Sequence, residues 1–133
     1  MIIVESSVLI NLFRGKTTKS VAMFKRVEAE GVPFAIPAIC CQEILQGAKN
    51  QKEWDLLAEY LSVQEIVYGR GQKETYWSAA NIYFTLRRKG RTVRSTVDCL
   101  IAQLVLEIEN GRLLHDDRDF LVIAKYFPLA FLS

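Results

Sequence analysis

The feature that most constrains the fold is a series of apolar runs too short to be helices, each separated from the next by segments of helical periodicity. Residues 1–4 are apolar and rich in β-branched side chains, which reads as a fully buried strand. Residues 33–36, 63–67 and 112–114 read as further strands, with 129–132 as a possible fifth. Between them, residues 8–13 form a helix that Ser6 or Ser7 can cap and Gly15 ends. Residues 20–30 repeat Val21, Phe24 and Val27 at helical spacing, and Pro37 opens a helix that runs to Ala48. Trp54, Leu57, Ala58 and Leu61 mark another helix, and 72–89 is the longest, with Tyr76, Ala79, Ala80, Tyr83 and Leu86 on one face. A helix starting at Ser95 or Thr96 and a short one over 120–126 complete the pattern. Strands alternating with helices predict an α/β domain around a mostly parallel sheet flanked by helices. A chain of 133 residues has room for one such domain, spanning 1–133.

The composition, 50% hydrophobic and 24% charged, excludes disorder and low complexity. No apolar run approaches the ~20 residues of a membrane helix. Glu5 interrupts the N-terminal apolar segment where a signal peptide needs continuity, so the expected location is the cytoplasm. Cys40, Cys41 and Cys99 lie in apolar surroundings without metal-type spacing and read as buried, reduced thiols.

Parallel sheets place their ligands beyond the carboxyl ends of the strands. Glu5 follows the first strand directly, and His115, Asp116, Asp117 and Asp119 follow the fourth. Asp98 stands in the first turn of a helix, and Glu43 lies on the helix after the second strand. Singly, these acids have structural readings. Asp98 can form a capping-box-like pair with Ser95, Asp117 can cap the 120–126 helix, and Glu43 can face solvent. Glu5 resists such a reading, because a charge directly after a buried strand needs a partner or a wet cleft. Together the acids change the reading. Two carboxylates about 5 Å apart repel by roughly 3 kcal/mol at an effective dielectric near 20. A set gathered at one sheet edge therefore either holds protons or binds a hard cation. Oxygen-only ligands favour Mg²⁺ or Mn²⁺, and the chemistry such an ion supports is phosphodiester hydrolysis.

The segments IIVESSVLINLFRG (2–15), CCQEILQG (40–47), TVDCLIAQL (96–104) and LLHDDRDF (113–120) resemble, in this order, the motifs of PIN domains. The resemblance is in particular to the small VapC-type ribonuclease toxins of toxin–antitoxin pairs, and it covers essentially the whole chain. It implies a PIN-like three-layer domain with a four- or five-stranded sheet, RNA cleavage with Mg²⁺ or Mn²⁺, a homodimer, and inhibition by a VapB-type antitoxin. Carried over by position, the catalytic and metal-holding set is Glu5, Glu43, Asp98 and Asp117. Ser7 matches a hydroxyl residue that assists the first carboxylate, Asp119 matches a frequent further acid, and Asp116 has no firm counterpart. Glu5 departs from the family, whose first acid is nearly always aspartate. The extra methylene implies contact through a water, a preference for Mn²⁺, or an attenuated enzyme, because Mg²⁺ tolerates little departure from octahedral geometry.

The densest basic cluster is Arg87, Arg88, Lys89, Arg91 and Arg94. Cations favour a helix C-terminus, and an acidic nuclease site also needs a cationic rim to hold RNA phosphates; both readings stand. Arg14, Lys16 and Lys19 are candidates for an opposite wall, and a structural role is expected for His115. The aromatics between Trp54 and Phe84 are expected mostly to fill the core, with any surplus forming a groove for an antitoxin helix or a dimer interface. A receiver-like signalling domain is excluded by the lack of paired acids after the first strand, and a nucleotide-binding fold by the lack of a glycine-rich turn there. The remaining rival is a PIN-like module, disabled by Glu5, that binds RNA or protein without cutting.

Overall fold

The computed structural model describes residues 1–133. In chain order the elements are β1 (Ile2–Val4), α1 (Ser6–Phe13), α2 (Lys19–Ala29), β2 (Phe34–Pro37), α3 (Ala38–Gln46) and α4 (Gln51–Ser62). They continue with β3 (Ile66–Val67), α5 (Gln72–Arg88), α6 (Thr96–Leu106), β4 (Arg112–Leu114) and α7 (Asp119–Ala124). The sheet has the order β3-β2-β1-β4 with all pairings parallel, and seven helices flank it. The α/β class and the four-stranded sheet are therefore as expected. The chain runs outward from β1 through β2 to β3, then returns to lay β4 on the other side of β1. That reversal puts the topological switch point between β1 and β4, where open parallel sheets bind their ligands.

Ile3, Val4, Ile36 and Leu113 are wholly or almost wholly buried, as strands covered on both faces require. Phe24, Leu9, Ile101 and Phe120 pack onto them in one hydrophobic cluster. Side chains start several helices: Thr18 Oγ1 accepts from the Val21 amide at 3.0 Å, and Asn50 Oδ1 from the Glu53 amide at 2.8 Å. Gly90, with φ +72°, supplies the left-handed turn that stops α5. No helix is long and apolar enough to cross a membrane.

Four local expectations are corrected. The third strand spans only Ile66–Val67, because Val63, which is exposed, and Gln64, whose amide donates to the Leu61 carbonyl, form the turn that closes α4. The fifth strand reduces to one parallel bridge, Leu113 to Phe131. Glu5, rather than Ser6 or Ser7, caps α1. The buried stripe of α5 is Thr75, Ala79, Ile82 and Leu86, so Tyr76, Trp77 and Phe84 face solvent. Their aromatic character suggested core positions, but the tertiary partner α6 selects the stripe of smaller side chains, with which it packs closely. Trp54 and Tyr68 are exposed as well.

Candidate active site: two coupled carboxylate groups

The ends of β1 and β4 lie side by side, and pairing continues one residue further, since the Glu5 amide donates to the Leu114 carbonyl at 3.0 Å. The Glu5 side chain folds back onto the first turn of α1. Its Oε2 accepts from the Ser7 amide at 2.9 Å and also from the Ser7 hydroxyl. A carboxylate is favoured there by the free amides of the first turn and by the helix dipole. Its other oxygen, Oε1, lies 2.8 Å from Ser6 Oγ, which is itself 2.8 Å from Glu43 Oε1 on α3. A serine hydroxyl has one hydrogen, so it donates to one of these carboxyls. A second bond forms when the other carboxyl carries a proton and donates it. Glu5, only 4% exposed, fits that second role. Burial pushes its carboxyl above the usual range, the serine hydrogen bonds oppose this, and the charge of Glu43 adds to it. Cys40 completes the group, with ligand atoms of all three residues within 4.8 Å of one another. Burial, reinforced by Glu5, keeps the Cys40 thiol protonated.

The second group is Asp98, Asp117 and Asp119, with one oxygen from each within 4.8 Å of the others. Asp98 is 6% exposed in the first turn of α6, while the other two follow β4. Burial first, then the charges of Asp117, Glu5, Asp119 and Glu43, raise its carboxyl from 3.8 to about 7. The influence of Glu5 and Glu43 on Asp98 couples the two groups into one electrostatic unit. Arg94 is the cation in contact: its guanidinium lies 3.6 Å from Asp117 and 3.5 Å from Asp119, and its amide donates to Asp119 at 3.0 Å. That side chain is 81% exposed, so the pairing is well screened and readily exchanged for another anion.

The four acids singled out in the sequence thus stand as two adjacent pairs, Glu5 with Glu43 and Asp98 with Asp117, and Asp119 joins the second. Asp116 points elsewhere. Its Oδ2 accepts from Asn11 Nδ2 at 2.9 Å and from Thr18 Oγ1 at 2.8 Å, while its amide donates to Ser7 Oγ at 2.9 Å. It therefore ties the loop after β4 to α1 and to the start of α2, and Ser20 reinforces this by donating to the His115 carbonyl at 2.8 Å. His115 is structural, as expected. Its Nδ1 accepts from the Asp117 amide at 3.1 Å and its ring packs on Phe120 and Phe131. Burial lowers its pKa. The Ser95–Asp98 capping box does not form, because Ser95 Oγ accepts from the Val97 amide instead. Asp117 does support α7, accepting from the Asp119 amide at 2.9 Å. Arg87, Arg88, Lys89 and Arg91 are exposed, as are Arg14, Lys16 and Lys19, and Arg14 lines a groove shared with Glu43. Sequence reasoning missed Ser6, Asn11 and Thr18. The first two of these polar residues stand in or beside the first motif, but nothing in the sequence says that they meet acids 37 and 105 positions away.

The donor set suits a hard divalent cation: buried (Glu5, Asp98) and half-buried (Glu43, Asp117, Asp119) carboxylates that repel one another, with no ion pair at Glu5 or Glu43 and a protonated thiol that offers little to a soft metal. Known proteins share both the sequence pattern and the fold. The profile of the PIN domain family matches residues 2–126. VapC ribonuclease Mb1587 of Mycobacterium bovis and ribonuclease VapC11 of Mycobacterium tuberculosis are each 30% identical over 131 residues, covering 94% of this chain and 92% of theirs. Among solved structures, VapBC-1 from nontypeable Haemophilus influenzae superposes with a TM-score of 0.71 at 19% identity, over 100% of this chain and 98% of that one. FitAcB from Neisseria gonorrhoeae gives 0.65 at 18% identity, over 100% and 97%. From the ordered motifs, the sheet topology, the acidic switch point and these matches, the chain belongs to the PIN domain family.

Proposed function

We propose that this PIN domain protein is an endoribonuclease, the toxin of a VapBC-type pair, and that Glu5, Glu43, Asp98 and Asp117 hold a Mg²⁺ or Mn²⁺ ion at the switch point. The observation that carries the reading is the gathering of two carboxylate groups where β1 and β4 end, each built on one buried acid, Glu5 or Asp98, with ligand atoms within 4.8 Å of one another. A divalent ion bound there supplies Lewis acidity toward a phosphodiester and toward water. The chain's own residues do the rest. Ser6 and Ser7 fix both oxygens of Glu5, Ser6 links it to Glu43, and Asp119 supports the second group. Asp116 holds Ser7 in register. Arg94 exchanges the aspartates for a substrate phosphate, and Arg87, Arg88, Lys89 and Arg91 extend the cationic rim.

The partner follows from the surface. A groove of about 480 Å³, lined by Ile10, Phe13, Leu56 and Leu57, opens beside Glu43. Leu56 is 62% exposed, and an amphipathic segment of a VapB-type antitoxin seated there would cover it and reach the acids. A second apolar patch of Ile39, Val67, Tyr68, Tyr76 and Leu100 suits a second copy of the chain. The test is cleavage of a mixed RNA pool with Mg²⁺, Mn²⁺ or EDTA, for the wild type and for Glu43→Ala. Cutting that both EDTA and Glu43→Ala abolish is expected. Cutting that survives either one overturns the assignment of the site, and an RNA pool bound but never cut favours the non-cleaving module.

A further inference from the structure

We infer that the solvent-facing pole of α5 is a stacking track for single-stranded RNA, in which Trp77 and Phe84 hold bases and Lys73 and Arg88 hold the flanking phosphates. The inference rests on the ribonuclease reading for its ligand class and extends the bound RNA beyond the acidic site.

Lys73, Trp77, Phe84 and Arg88 fall within one narrow stripe of the helix wheel, directly opposite the buried stripe of Thr75, Ala79, Ile82 and Leu86. Amphipathic logic reserves that pole for charged and polar side chains, yet Trp77 is 69% exposed and Phe84 46%. Each ring has a cation one turn away: Lys73 Nζ lies 5.7 Å from the Trp77 ring and Arg88 Cζ 5.5 Å from the Phe84 ring. Seven residues of helix separate the two rings by roughly 10 Å. Neither ring lines any of the main surface cavities, so the pole is a convex shelf rather than a groove for an inserted side chain.

Charge selects the occupant. A second copy docked by two-fold symmetry about the middle of the stripe would set Lys73 of each copy against Arg88 of the other, a like-charge contact. A polyanion with flat π faces meets both features, and single-stranded nucleic acid uses such aromatic steps flanked by cations. The track is also continuous with the site. Arg88 adjoins Arg87 and Lys89, Lys89 stacks over Tyr126, Arg91 donates to the Tyr126 hydroxyl, and Arg94 reaches Asp117 and Asp119.

The chain has two tryptophans, so Trp54→Phe leaves Trp77 as the only indole reporter. Titrating that protein with a twelve-nucleotide oligouridylate in EDTA, where cleavage is absent, should quench Trp77 emission on binding. Trp77→Ala and Phe84→Ala, followed by anisotropy of a labelled oligouridylate, should each weaken binding by between about fivefold and a hundredfold. Both should leave the salt slope unchanged. Trp77→Phe should restore most of the affinity, and Arg88→Ala should lower the salt slope by about one. Wild-type affinity in both alanine variants, with helicity intact by circular dichroism, would overturn the inference. So would loss of a dimer, or of binding to an acidic partner protein, in Trp77→Ala without loss of oligouridylate binding. A Glu43→Ala variant that still cuts while Trp77→Ala binds RNA poorly would refute the active-site assignment and leave the track standing.

Discussion

Asp98→Asn should stabilise the metal-free fold at alkaline pH and should abolish cleavage when Mg²⁺ or Mn²⁺ is supplied. The substitution keeps the shape of the side chain and removes one charge from the group it forms with Asp117 and Asp119. In the folded protein the Asp98 carboxyl is raised from 3.8 to about 7, by burial first and by four neighbouring carboxylates second. A carboxyl with a higher pKa folded than unfolded keeps its proton in the native state between those values. The native state then binds more protons than the unfolded state, and stability falls as pH rises from about 4 to about 7. At about 1.4 kcal/mol for each tenfold change, the full displacement corresponds to roughly 4 kcal/mol, an upper value because the pocket can relax or admit water. Urea denaturation in EDTA at pH 4.5 and pH 8.5 reads this directly. Wild type and Asp98→Asn should be closely similar at pH 4.5, and the variant should be more stable by about 2–4 kcal/mol at pH 8.5. A variant destabilised equally at both pH values would refute the reasoning, since it would show that the carboxylate is held by favourable contacts.

The protons held near Ser6 and on Asp98 should leave when a cation binds, so Mn²⁺ titrations in buffers of different ionisation enthalpy should show proton release at pH 6.5 that fades by pH 8.5. Release that does not change with pH would contradict the raised Asp98 carboxyl. Asp116→Asn keeps an oxygen acceptor for Asn11 and Thr18 and should retain most cleavage and Mn²⁺ affinity, whereas Asp116→Ala should lower both by about tenfold, as loss of a supporting contact does. Equal damage by the two variants would make the charge of Asp116, and not its hydrogen bonds, the important property. Glu5→Asp keeps an N-cap acceptor for the Ser7 amide but draws the carboxylate back from Ser6, so the ratio of Mg²⁺ to Mn²⁺ activity should rise. An unchanged ratio would mean that the pocket has adapted to glutamate.

Much of the fold was legible because it rests on local signals. The β-branched run at 1–4, the proline that opens α3 and the glycine stops each act within a few residues. Acids at strand ends were legible for the same reason, and the topology then brought them to one edge. What was not legible depends on neighbours distant in sequence. The buried stripe of α5 was decided by α6, which accepted Ala79 and Ile82 and left Trp77 outside. The separation of the acids into two groups depends on where α3 and α6 enter, and Ser6 gains its role only because Glu43 arrives opposite it. The third strand shortened because Val63 and Gln64 form the turn that closes α4, with the Gln64 amide donating to the Leu61 carbonyl.

The central claim is that the two carboxylate groups act as one metal-dependent site, and Mn²⁺ binding measured alongside RNA cleavage tests it most directly. Glu43→Gln alters the first group and Asp117→Asn the second. Each substitution alone should lower Mn²⁺ affinity and cleavage together, since the groups share the ion and its charge. If either variant binds Mn²⁺ and cuts RNA as the wild type does, the group it belongs to lies outside the site and the claim fails.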